Sequence, residues 1–336
     1  MTTYLNYPFD AEIFTNTWEA SPDPVKNALI ESGALVRDAM IESQIQNDGY
    51  LYSVPFYNVL SGTPSNYDGA TDIETVSTGG GTQTGVVYGR SMGFTARNFA
   101  SELSGADPMS HIAQSVGKFW AKQRQSILLG ILNAVFGITG EDGTKEGDFA
   151  KYHTLDLAEG GYSIGATDLN TLATAALGDN KSKFALCVMH SNVAKTLENL
   201  EVLEFWKYTD AFGIQRPMSL ASANGYTVVI DDGVPCEKDG DEFRYTTYLL
   251  GEGALRFAPA KLDVPCEVHR DPKTNGGQDT LYTRIRETIH PNGFSFTPPE
   301  ENFTMSPTDS QLANSANWSL KFDPKAVAMA RLITNG

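Results

Sequence analysis

The hydrophobic pattern is strongest between residues 107 and 136. Met109, Ile112, Val116, Trp120, Ile127, Ile131 and Val135 recur in steps of three, four and seven, which keeps them on one face of a helix. Asp107 is a good N-cap, Pro108 suits the first helical position, and Gly137 follows the last turn. At 1.5 Å per residue this predicts a rod of roughly 45 Å, long enough to act as a spine.

Upstream the pattern changes. Val25 to Met40 has loose helical spacing with Gly33 inside it. Glycine in a helix interior costs about 1 kcal/mol, so one helix and two short pieces are both open. Tyr50 to Leu60 is aromatic and β-branched and reads as a strand, as does Gly85 to Arg97. Turn formers fill the space between them, in Ser61 to Gly69 and Ser77 to Gly81. The segment is predicted to be a long two-stranded excursion. An isolated hairpin is marginal in water. Its Tyr50, Tyr52, Phe56, Tyr57 and Tyr67 are therefore expected to pack on something outside their own domain.

Downstream, a polar, glycine-rich stretch (140–165) precedes alternating elements. A helix is predicted over Thr167 to Leu177, a buried strand over Phe184 to His190, and a helix capped by Ser191 running to Leu203. Strands follow at Tyr226 to Asp231, Arg244 to Leu250 and Ala254 to Ala258. Thr280 to His290 alternates, with Leu281, Ile285 and Ile289 on one face and Arg284 and Arg286 on the other. A capped short helix after Pro307, a Trp318 anchor and a last stretch from Val327 to Ile333 complete an α+β chain.

Composition narrows the class. The 336 residues are 41% hydrophobic and 20% charged, enough for a core. Lys and Arg total 25 against 41 Asp and Glu, a net charge of -16 that argues against wrapping nucleic acid with the whole surface. No secretory signal precedes the arm-like start, and Ile127 to Ile138 is too short an apolar stretch to span a membrane. Cys187, Cys236 and Cys266 have no disulfide or zinc spacing. A soluble, acidic, intracellular protein is the class that remains.

Candidate chemistry is sparse. Gly161-Tyr-Ser-Ile-Gly165 matches a nucleophile elbow, which would make Ser163 a hydrolase nucleophile with His190, His269 or His290 as base. Its approach is poor strand, so a loop is the preferred reading. Thr78 to Gly85 is glycine-rich but lacks the spacing and helix of a phosphate loop. The five histidines show no metal-ligand spacing, and no catalytic residue, metal or cofactor is assigned. Arg284 and Arg286 could touch phosphate, with salt bridges to a neighbouring acidic subunit preferred.

Phe99-Ala-Ser-Glu-Leu-Ser-Gly-Ala-Asp-Pro-Met109, with Phe119-Trp120 behind it, resembles tailed-phage major capsid proteins of the Hong Kong 97 fold. So do Cys187-Val-Met-His-Ser191, Leu249-Leu-Gly-Glu-Gly-Ala-Leu255, His290-Pro-Asn-Gly-Phe294 and Asn317-Trp318, in the expected order. The resemblance implies an N-terminal arm (1–45), an extended loop (46–100), a peripheral domain with the spine helix (101–164), an axial domain (165–260), and peripheral return strands with the tail (261–336). It implies a structural, non-enzymatic protein of the virion, assembled in the host cytoplasm. Pentamers and hexamers would close into an icosahedral shell around double-stranded DNA, with a portal and, in some relatives, a decoration protein. Intersubunit contacts are expected from the five loop aromatics and from Arg90, Arg97, Arg284 and Arg286. An encapsulin-like nanocompartment shell is the alternative, and a serine hydrolase using Ser163 the third reading.

Two further expectations follow from that resemblance. The arm begins too close to Met1 to leave room for a scaffold in cis, so a separate scaffolding protein is expected. Some relatives weld subunits through a loop lysine, yet no lysine lies between Lys26 and Lys118 here, so a non-covalent shell is expected. Residues 1–104 also hold twelve acids and four bases, which predicts assembly favoured by salt that screens repulsion over about 8 to 10 Å.

Overall fold

A computed structural model describes residues 2–4, 7–9, 35–46, 49–60, 62–67, 75–98, 108–209, 215–239, 242–301 and 303–336. In chain order, β1 (Thr2–Tyr4) pairs with β2 (Tyr7–Phe9). β3 (Leu35–Arg37) leads into helix α1 (Ala39–Ile45), capped by the Asp38 carboxylate, which accepts from the Met40 and Ile41 amides. The helix reading for Val25 to Met40 is thus corrected at its C-terminal end, and residues 25–34 lie outside the described residues. The two-stranded excursion is corrected in its second strand: β4 (Leu51–Tyr57) pairs with β5 (Gly80–Val86), so the glycine-rich stretch expected to be a loop tip is largely strand, while β6 (Tyr88–Arg97) pairs with the later strand Gln278–Pro291 and not with β4.

The spine is α2 (Pro108–Phe136), 29 residues long, and its expected cap Asp107 lies outside the described residues. Val116, Trp120, Ile127, Ile131 and Val135 are all buried, as the spacing requires. The 140–165 stretch holds more structure than its polarity suggests. It contains α3 (Lys145–Tyr152), whose first turn is capped by the Thr144 hydroxyl, and β7 (Thr154–Asp156). α4 (Asp168–Leu177), β8 (Phe184–Met189) and α5 (Ser191–Asn199) follow. α5 is shorter than expected and starts one residue earlier, since the His190 ring, not Ser191, accepts from the Asn192 amide. Glu201, at φ 57°, then turns the chain into β9 (Leu203–Thr209).

β9 and β10 (Gln215–Ala223) form a hairpin that the hydrophobic pattern does not announce, because its register slips between Pro217 and Ala221. β11 (Tyr226–Ile230), β12 (Cys236–Asp239), β13 (Glu242–Gly251), β14 (Leu255–Pro259) and β15 (Cys266–Asp271) precede the long β16 (Gln278–Pro291). β17 (Phe294–Phe296), α6 (Asp309–Leu312), β18 (Trp318–Leu320) and β19 (Met329–Thr334) end the chain.

Two main sheets result. An eight-stranded mixed sheet runs β7-β19-β13-β8-β11-β10-β9, with β12 on β13. Cys187, Met189, Leu249 and Leu332 on one face pack under α4 and α5, while Leu186, Val188, Tyr248 and Leu250 on the other face meet the C-terminal half of α2. There the Phe136 ring stacks between Phe149 and Tyr248, at 5.5 and 5.6 Å. In the second sheet β16 pairs with β6 along one side and with β15 and β14 along the other, and β3 adds to β14 in parallel. The N-terminal half of α2 lies on this sheet through Trp120, Leu281 and Ile285.

Candidate assembly surface

The base of the β4-β5 hairpin is anchored in its own chain. The Tyr52 hydroxyl lies 2.9 Å from that of Thr288, which itself donates to the Val86 carbonyl. Gln83, fully enclosed, accepts from the Gly293 amide at 2.8 Å, with the His290 ring 3.2 Å away. The Phe56 and Phe322 rings meet edge to face at 4.8 Å, and Tyr50 sits 5.5 Å from Phe303. Burial pushes the Tyr52 phenol up and holds the His290 imidazole down near 3, so the ring is neutral.

The expectation that the loop aromatics find no core in their own chain therefore fails for Tyr52. β16 and β17, more than 200 residues away, supply the missing wall. At the tip the situation reverses. Tyr57, Val59, Leu60, Tyr67 and Val76 are between 64 and 90% exposed. Isolated exposed apolar side chains are ordinary; here five fall within one segment, residues 57–76.

The arginines divide in the same way. Arg90 is held within the chain, donating to Asp309 at 2.6 Å and to the Pro307 carbonyl at 2.8 Å. Arg97, at the far end of β6, has an exposed side chain. Arg286 donates to the Gly49 carbonyl at 2.8 Å, and Arg284 reaches the Val264 carbonyl and, at 3.4 Å, Glu267. Both border a cleft of about 570 Å³ beside Arg37, Trp120, Arg124 and Lys261. Arg124 is neutralised by a two-pronged pair with Glu287, the shortest contact being 2.8 Å. Arg37 is likewise paired with Glu42 at 2.8 Å, so the positive charge of the cleft comes from Lys261, Arg284 and Arg286.

Ser163 stands in a loop. β7 ends seven residues before it and α4 begins five residues after it, so the strand-turn-helix of an elbow is absent there. Among the described residues, no His, Cys, Asp or Glu group could hold a metal ion, and no helix is long and apolar enough to cross a membrane.

No protein-family model matches the chain. The "Major capsid protein" of Bacillus phage SPP1 is 29% identical over 309 residues, covering 91% of this chain and 90% of that one. Among solved structures, the capsid of Ralstonia phage GP4 superimposes with a TM-score of 0.54 at 13% identity, over 79% of this chain and 84% of its own. The Cyanophage Pam1 capsid gives 0.53 at 10% identity, over 87% of each chain. The head of Helicobacter pylori bacteriophage KHP40 gives 0.52 at 12%, over 90% and 88%. At such identities the likeness is one of fold.

Proposed function

We infer that this chain, which belongs to the tailed-phage major capsid proteins of the Hong Kong 97-type fold, closes with copies of itself into an icosahedral head shell. Its role is structural. The observation that carries the mechanism is the contrast within the hairpin, a rigid base with a bare apolar tip. A tip that cannot be buried in its own chain is buried by the next one, and symmetry repeats that contact around the shell. Many weak contacts, each tied to the others, become collectively strong. Arg97, Arg284 and Arg286 then face acidic neighbours, and the cleft beside Arg284 is their meeting place.

Residues 165–260 supply the axial part of each pentamer or hexamer and the α2 region the peripheral part. Double-stranded DNA fills the particle, a separate scaffolding protein and a portal take part in assembly, and a decoration protein can bind outside. Assembly in the host cytoplasm precedes the virion.

The test replaces residues 59–78 with an Asn-Gly turn, which leaves β4, β5 and the buried Gln83 intact. The expected result is a folded subunit by circular dichroism and no shells in electron micrographs. Normal shells would overturn the reading.

A further inference from the structure

We propose that the cleft enclosed by α1, α2, β16 and residues 259–265 binds a phosphate group, which Lys261, Arg284 and Arg286 hold. The inference goes beyond the shell reading and is tested on free subunits, so either can fail without the other.

The placement starts from the strand. Alternation along β16 sends Arg284 and Arg286 to one face, about 7 Å apart, while Ile285 between them packs with Trp120 and Leu281. The Ala260 amide donates to the Arg286 carbonyl and the Arg284 amide to the Pro265 carbonyl, both at 2.8 Å. That bonding holds Lys261 alongside the strand, where it lines the same cleft. Trp120, Phe257 and Pro259 supply an apolar wall.

The carboxylates that line the cleft, Glu42 and Glu287, are both engaged, with Arg37 and Arg124 at 2.8 Å each. The remaining cations are held differently. Arg286 is tethered by the neutral Gly49 carbonyl at 2.8 Å, and Arg284 by the neutral Val264 carbonyl at 3.1 Å. Arg284 also reaches the exposed Glu267 at 3.4 Å, a loose surface pair of the kind that contributes little. Lys261 and Arg286 have no carboxylate partner among the described residues. Neutral tethers orient a guanidinium without cancelling its charge.

Three cations converging on one concavity suit phosphate better than a single carboxylate. Free phosphate carries close to two negative charges at neutral pH, and arginine forks match its oxygens while lysine adds a point charge. The chain's net charge of -16 repels anions at long range, so retention has to come from these local donors. A second cleft, of about 920 Å³, borders the same arginine pair beside Tyr50, Ser91 and Thr304. A substituent on the phosphate therefore has room, and a free phosphate ion and a DNA backbone share the chemistry.

Titration calorimetry of free subunits with inorganic phosphate, at ionic strength held constant with sodium chloride, tests this. Saturable uptake is expected. Arg286→Gln should weaken it about tenfold and Lys261→Gln about threefold, with circular dichroism unchanged. Glu267→Gln, which frees Arg284, should tighten binding about threefold, a gain that a damaged fold does not produce. Adding a short DNA duplex to phosphate-loaded subunits separates the two sources. Displacement that fades steeply with salt identifies the DNA backbone, and phosphate retained beside DNA identifies the free ion. No saturable uptake above chloride, or one affinity shared by wild type, Arg286→Gln and Lys261→Gln, would overturn the proposal.

Discussion

Glu287 ties three elements together from a nearly closed position on β16. It accepts from the Tyr88 hydroxyl at 2.9 Å and holds the Arg124 guanidinium of α2 by two prongs. The burial of Tyr88, and after it the nearby Glu287 carboxylate, raise that phenol well above its ordinary range, so it stays a proton donor. Breaking a buried pair from one side leaves the other charge uncompensated. Glu287→Ala should lower stability by about 3 kcal/mol in urea unfolding of the subunit, and a loss below about 1 kcal/mol would contradict this account. His290 gives a pH signature. Its ring is held neutral down to about pH 3, whereas in the unfolded chain it takes a proton near 6.5. The stability it allows is complete above pH 6.5 and is lost as pH falls from there toward 3, at up to about 1.4 kcal/mol per pH unit. His153, lowered by the same burial, adds to the slope. Urea midpoints measured at pH 7.5 and 5 should therefore differ, and His290→Gln should shrink the difference.

The hairpin works as an element because its two halves have opposite environments. Its base is clamped by Tyr52, Gln83 and Thr84 against β16 and β17, and Gly85 makes the clamp possible. A Cβ at Gly85 would overlap the Tyr52 ring. Gly85→Ala must therefore displace Tyr52 from Thr288 or part β5 from β4. The subunit should lose about 1 to 3 kcal/mol, the usual range for overpacking, and the tip should lose its fixed direction. Shell yield should fall further than subunit stability alone explains. Yield that tracks stability would mean that the base does not aim the tip.

In the assembled particle the question is what holds subunits together. Relatives that cross-link use a lysine amine that loses its proton on desolvation, and the segment from residue 27 to 117 contains arginines and one histidine but no lysine. Arginine stays protonated at any working pH. Here Arg90 is also turned inward on Asp309. Shells boiled in SDS with reductant should run as one band near 36.5 kDa. A ladder of covalent multimers would contradict the non-covalent account.

The elements legible in the sequence are those whose burial is one-sided and local. The spine helix declares itself because Val116, Trp120 and Ile131 must share a face, and β16 because Leu281, Ile285 and Ile289 must. Short buried strands such as Phe184–Met189 show the same logic as continuous apolar runs. A period says which side of an element is covered and nothing about what covers it. Only the tertiary structure brought Leu35–Arg37 beside Leu255–Phe257, set Met329–Thr334 between β7 and β13, and closed Arg90 on Asp309 across 219 positions. It also separated Tyr52, enclosed by Thr288 and His290, from Tyr57 five residues on, left bare. Both are tyrosines on one aromatic strand, and their difference comes from a sheet that the chain completes more than 200 residues later.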